Sequence, residues 1–207
     1  LKFIKIEHAL FDSGLLIIEA EDALFKLNKR EKEKAGQDIL LKKMYPEENT
    51  ERGYHESGKP YFLTKNSDLS LSHCENVIAC QVSDKITCGV DVQLYKAKIT
   101  RISDKYLNTE ELNWVKQIQD EQVKIKTLTA IWSCKEALYK MFGKGFIDYV
   151  NLFTLHPFTA VTGTINADAD LGDGIRRYHF HAEFTETFVW VFHTLSPTLF
   201  PDEHATR

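Results

Sequence analysis

Three side chains of one helical stretch have the types and spacing to do chemistry together. Trp132, Glu136 and Lys140 stand at i, i+4 and i+8, so at 3.6 residues per turn they share one stripe. An acid, a base and a flat aromatic in a row can move a proton or neutralise charge on a substrate. The same row also serves as a solvated helix face with an ion pair worth about a few tenths of a kcal/mol. Ile131, Cys134, Ala137, Leu138 and Met141 form an apolar stripe beside it. The pattern predicts a helix over Glu121–Phe142, which contains no Gly or Pro before Gly143.

A second set lies upstream. Residues 87–94 alternate like a strand, with Val90, Val92 and Leu94 on one face and Gly89, Asp91 and Gln93 on the other. If the apolar face is core, Asp91 and Gln93 stand together as oxygen donors, about 7 Å apart by strand rise. Oxygen donors suit a hard cation such as Mg²⁺, which takes one or two carboxylates and completes its shell with water and phosphate. With Glu136 they make a candidate Mg²⁺ site. A lone strand aspartate is also ordinary as a solvated or turn-facing residue.

Taken together, Gly89-Val90-Asp91-Val92-Gln93 and Trp132-Ser133-Cys134-Lys135-Glu136-Ala137-Leu138-Tyr139-Lys140 resemble the paired signature of the 4′-phosphopantetheinyl transferases, Sfp-type branch. Gly58-Lys59-Pro60 and Leu71-Ser72-His73 match further family elements in the right order. The resemblance implies an α+β fold of two similar halves, residues 1–95 and 96–196, followed by a tail over 197–207, with the active site in the cleft between the halves. It implies transfer of phosphopantetheine from coenzyme A to a serine of an apo acyl or peptidyl carrier protein. By motif position, Asp91, Gln93 and Glu136 are metal ligands for Mg²⁺ or Mn²⁺, and Glu136 also receives the serine proton. Lys140 and Lys135 face the phosphates; Lys59, Ser72 and His73 hold the nucleotide end, with His73 on the 3′-phosphate. The family branch also implies a monomer. Two positions depart from the pattern. Gln93 stands where many relatives carry Glu, and Gln37-Asp38-Ile39-Leu40 stands where relatives carry a basic residue before the leucines, with Lys29, Arg30, Lys32 or Lys34 as candidate substitutes. A relative that binds coenzyme A or a carrier protein without catalysis is the alternative reading.

Other elements must position these residues. Strands are expected around Phe3–Ile6 and over residues 15–19, 69–73, 77–82 and 87–94. A helical region over 21–44, interrupted near Asn28, stops at Pro46. Thr109 is the expected N-cap of a helix leading to Trp114. Strands are expected over 150–155, 160–165, 177–184 and 188–194. Lys144, just past the long helix, reads as near the active-site mouth or as a cation on the helix dipole. His179 and His181 read as a structural or exposed pair, and Trp132 equally as packing or as ligand contact.

Composition is ordinary for a soluble globular protein, with 43% hydrophobic and 27% charged residues. A net charge of −4 gives no sign of a protein that coats nucleic acid, although the run Lys26–Lys43 is rich in Lys and leaves room for a local basic patch. No apolar run is long enough to span a bilayer, and the opening residues lack the pattern of a signal peptide. The four cysteines show no zinc spacing and read as buried small hydrophobes of a reducing compartment, so the expectation is cytoplasmic.

Overall fold

A computed structural model describes residues 1–142, 148–170, 172 and 174–199, the last four by backbone. Six of its strands form one antiparallel sheet: β1 (Lys2–His8), β2 (Phe11–Ile17), β3 (Arg52–Tyr54), β4 (Pro60–Phe62), β5 (Asp68–Cys74) and β6 (Val77–Ser83). Their order is β1-β2-β6-β5-β4-β3. Five others form a second: β7 (Val90–Leu94), β8 (Phe153–Leu155), β9 (Gly163–Asp170), β10 (Ile175–Phe184) and β11 (Phe188–Leu199), in the order β7-β11-β10-β9-β8. The helices are α1 (Lys29–Met44), α2 (Thr109–Val115), α3 (Glu121–Phe142) and the single turn α4 (Tyr149–Leu152). The fold is α+β, and none of the described helices is long and apolar enough to cross a membrane.

Three apolar clusters set the layers. Leu40, Leu41 and Met44 of α1 pack on Leu16, Ile78 and Cys80 of the first sheet. The opposite face of that sheet (Phe11, Leu15, Val77, Ala79) meets Val90, Val92, Trp190 and Phe192 of the second. The far face of the second sheet (Ile165, Phe180, Val189, Val191) receives Leu128, Ile131, Cys134 and Leu138 of α3. The order through the molecule is therefore α1, first sheet, second sheet, α3.

The junction between the sheets is β7. It pairs with β11 on one side, and its other edge is closed by side chains of the first sheet. Ser70 Oγ accepts from Val90 N at 3.1 Å and Ser72 Oγ from Val92 N at 3.3 Å. Gln81 Oε1 accepts from Gly89 N at 2.9 Å, while its amide donates to the His193 carbonyl. An edge strand thus has its buried N–H groups satisfied without a further strand.

Several expectations change. Residues 150–155 form α4 and then β8, because Asp148 caps one helical turn by accepting from Val150 N and Asn151 N. The N-cap of α2 is Asn108, in a reciprocal box with Glu111, and not Thr109. A single turn of 3-10 helix over Ala23–Lys26 replaces the first part of the expected helix, with Asn28 capping α1. Strand β11 runs on to Leu199. The expected helix stop at Gly143-Lys144-Gly145, the Lys144 reading and residues 200–207 of the tail lie outside the described residues.

Candidate functional site

Gly89 explains why β7 and α3 meet. A Cβ there would fall 2.5 Å from the Ala137 carbonyl oxygen and 2.4 Å from Met141 Cγ, so only glycine lets the strand lie this close to the helix backbone. The approach brings Asp91 under the polar stripe of α3. Asp91 is 2% exposed. Its Oδ1 accepts from Lys140 Nζ at 2.8 Å and from Ser72 Oγ at 2.7 Å, and its Oδ2 from Gln93 Nε2 at 3.1 Å. Lys140 Nζ also donates to the Val90 carbonyl at 3.0 Å.

Glu136 lies one turn before Lys140. Among the described residues its carboxylate accepts one hydrogen bond, from Tyr149 Oη to Oε1 at 2.9 Å. Burial raises its pKa above the usual carboxylate range, the charge of Asp91 raises it further, and the Tyr149 hydroxyl and Lys140 pull it back. Two oxyanions so placed are short of positive charge. The donors on hand are two carboxylates and the amide oxygen of Gln93, with no thiolate or imidazole among them. That set fits a hard divalent cation which brings its own water and phosphate ligands. Among the described residues no group of three His, Cys, Asp or Glu side chains is arranged to hold a metal.

Lys59 and Lys140 line one cavity of about 160 Å³, together with Pro60, Ser70, Leu71 and Tyr139. Lys59 Nζ is tied to Asp68 Oδ2 at 2.8 Å, whose same oxygen accepts from Cys88 N at 2.7 Å. His73 Nε2 lies 2.8 Å from Glu33 Oε1. Burial pulls the His73 pKa down, against the raising effect of Glu33. A larger, open cavity of about 1090 Å³ beside α1 is lined by Arg30, Glu33, Lys34, Gln37 and Arg52 among others. It adjoins Glu33 rather than Glu136, so volume alone does not locate the chemistry.

Lys135 is a correction. It does not lie beside a phosphate site; its side chain and that of Glu111 are both 0% exposed. Its Nζ donates to Glu111 Oε2 at 2.7 Å, to the Tyr106 carbonyl at 2.6 Å and to the Tyr149 carbonyl at 2.9 Å, which uses every proton of the ammonium. Glu111 in turn accepts from Asn108 N and Leu155 N. Burial pushes the Glu111 carboxyl up and the Lys135 ammonium down, against their mutual attraction. The ion pair ties α2, α3, α4 and β8 together. Trp132 packs edge-on to Tyr106 at 5.2 Å and stacks on Tyr149 at 5.6 Å, and it also lines a cavity with Gln93 and Thr129.

His179 and His181 are separately bonded, to Asn166 and Glu183. Two residues near the site carried no sequence signal. One is Tyr149. The other is Arg52, whose guanidinium bonds Asp38 at 2.6 Å and Gln37 at 3.2 Å. A charge thus reaches the Gln37 position from β3, and Arg30 and Lys34 of α1 line the same cavity. Only a pairing of β3 with β4, on the far edge of the first sheet, could have revealed it.

A family model described as the 4′-phosphopantetheinyl transferase superfamily matches residues 87–192, just over half of the chain. The chain is similar to a putative 4′-phosphopantetheinyl transferase of Haemophilus influenzae, 28% identical over 102 residues that cover 47% of this chain and 42% of that protein. It is also similar to the 4′-phosphopantetheinyl transferase gsp of Aneurinibacillus migulanus, 25% identical over 52% of this chain and 44% of that protein. The 4′-phosphopantetheinyl transferase HetI of a Nostoc species is 28% identical over 44% and 41%. The matched stretches span less than half the length of these relatives. The matched family segment runs from just before Gly89 through α3 into β11, and so holds Asp91, Glu136 and Lys140: the chain belongs to the 4′-phosphopantetheinyl transferase superfamily.

Proposed function

We propose that this chain moves 4′-phosphopantetheine from coenzyme A to a serine hydroxyl of an apo acyl or peptidyl carrier protein. The observation that carries the proposal is the meeting of Asp91, Glu136 and Lys140 beside the cavity of Lys59. In the step proposed, the serine oxygen attacks the phosphorus that carries pantetheine. The P–O bond to the second phosphate breaks, and adenosine 3′,5′-bisphosphate leaves with the electron pair. Such a transfer needs positioning and charge neutralisation more than covalent help.

In this reading Asp91, Gln93 and Glu136 hold Mg²⁺ or Mn²⁺, which supplies positive charge to the pyrophosphate. Lys140 exchanges its bond to Asp91 for the phosphates. Glu136 receives the serine proton directly or through water. Lys59, Ser72 and His73 serve the nucleotide end, and Arg52 stands in for the basic residue that Gln37 lacks. The chain would work as a cytoplasmic monomer of two similar halves, with coenzyme A in the cleft between them.

The test is the intact mass of apo carrier proteins incubated with the protein, coenzyme A and Mg²⁺. A gain of one phosphopantetheine, abolished by EDTA, is expected. Coenzyme A binding without any gain would favour a non-catalytic binding module instead.

A further inference from the structure

Tyr149 belongs to no motif, yet it touches four residues of the α3 signature. It opens α4, a turn fixed by the Asp148 cap. Its ring stacks on Trp132 at 5.6 Å with 27° between planes and meets Tyr139 at 6.0 Å. Its carbonyl accepts from Lys135 Nζ at 2.9 Å, and its hydroxyl donates to Glu136 Oε1 at 2.9 Å.

We propose that Tyr149 is the positioning residue for Glu136, holding one carboxylate oxygen so that the other is presented to the cation and the acceptor serine. The proposal rests on the transferase reading above. A glutamate at a helix surface has freely turning side-chain torsions, and ordering it at the moment of reaction costs entropy. Here the hydroxyl fixes that carboxylate in advance, and the aromatic stack fixes the hydroxyl. A phenol carries its proton at neutral pH, so the hydroxyl is a donor to the carboxylate. The buried Lys135–Glu111 pair acts at one remove. By gripping the Tyr149 carbonyl it sets the position of α4, and α4 sets the hydroxyl. This gives the lysine of the signature a part in the site although it faces no substrate.

Tyr149→Phe removes one oxygen and keeps the stack and the Lys135 bond. The expected result is an unchanged thermal midpoint and KM for coenzyme A, with kcat lower by about tenfold. The readout apart from activity is Mn²⁺ affinity, taken from the paramagnetic resonance signal of free Mn²⁺ in the presence of coenzyme A and without carrier. It should weaken about tenfold, and the same change made in a Glu136→Gln background should have no further effect. Unchanged Mn²⁺ affinity in Tyr149→Phe would overturn the proposal, as would an equal loss in the Glu136→Gln background. Failure of the wild-type protein to modify any carrier would strike the transferase reading alone, because the metal measurement uses no carrier.

Discussion

Lys135 and Glu136 are neighbours on α3 and live in opposite worlds. Lys135 faces a sealed interior where three oxygens take all of its protons, and its partner Glu111 is equally enclosed. Glu136 faces the junction with β7, where another carboxylate lies nearby and a tyrosine gives its single described hydrogen bond. A charge whose bonding capacity is used up inside the protein braces the fold; a charge left short of partners at a junction between elements is available for chemistry. The 100° turn between consecutive helical residues is enough to separate the two roles.

The comparison breaks most sharply in activity. Glu136→Gln should lower transfer by about a thousandfold or more with an unchanged thermal midpoint, since on the proposed mechanism it removes both a ligand and a base; a loss of less than tenfold in steady-state rate would contradict its role. Lys135→Ala should do the reverse, costing about 3–5 kcal/mol because Glu111 is left as an uncompensated buried charge. Denaturant titration checks this, and a cost below about 1 kcal/mol would mean the pair braces nothing.

What could be read from letters alone follows the same division. The bounds of α3 were legible because its apolar period and its freedom from Gly and Pro are local facts. That Asp91, Glu136 and Lys140 come together is legible from spacing and motif. Lys135 was misread because its partner Glu111 stands 24 positions away and reaches it only through the packing of α2 on α3. The strand expected at 150–155 forms only over Phe153–Leu155, because the Asp148 cap turns its first residues into a helical turn. Thr109 lost the cap of α2 to Asn108 because the reciprocal bond with Glu111 needs a three-residue separation. Arg52 and Tyr149 were invisible for a different reason: their partners come from other elements, and no periodicity encodes them.

A second sealed group sharpens the comparison in pH. Burial lowers the His193 pKa from its usual 6.5 to about 4, and its Nδ1 lies 2.8 Å from the Thr87 carbonyl. Because the unfolded chain takes up this proton first, stability should be full above pH 6.5 and fall as pH drops toward 4, by roughly 3 kcal/mol in all. The difference between wild-type and His193→Gln denaturation curves isolates the effect, and parallel curves across that range would refute it. The smallest change concerns the departing ligand. Gln93→Glu adds a charge to the open region and should tighten Mg²⁺ by a few-fold, about 1 kcal/mol, as read by the Mg²⁺ concentration giving half-maximal transfer. Weaker binding would remove Gln93 from the ligand set.

The most direct test sets the two neighbours side by side. Single-turnover transfer from coenzyme A to an apo carrier protein would be measured for wild type, Lys135→Met and Glu136→Gln, each well below its own unfolding midpoint. The account predicts that folded Lys135→Met keeps the rate within about tenfold, while Glu136→Gln, equally folded, transfers at less than about a thousandth of it. Equal losses in both variants, or a loss confined to Lys135→Met, would contradict the division between bracing and reacting charges.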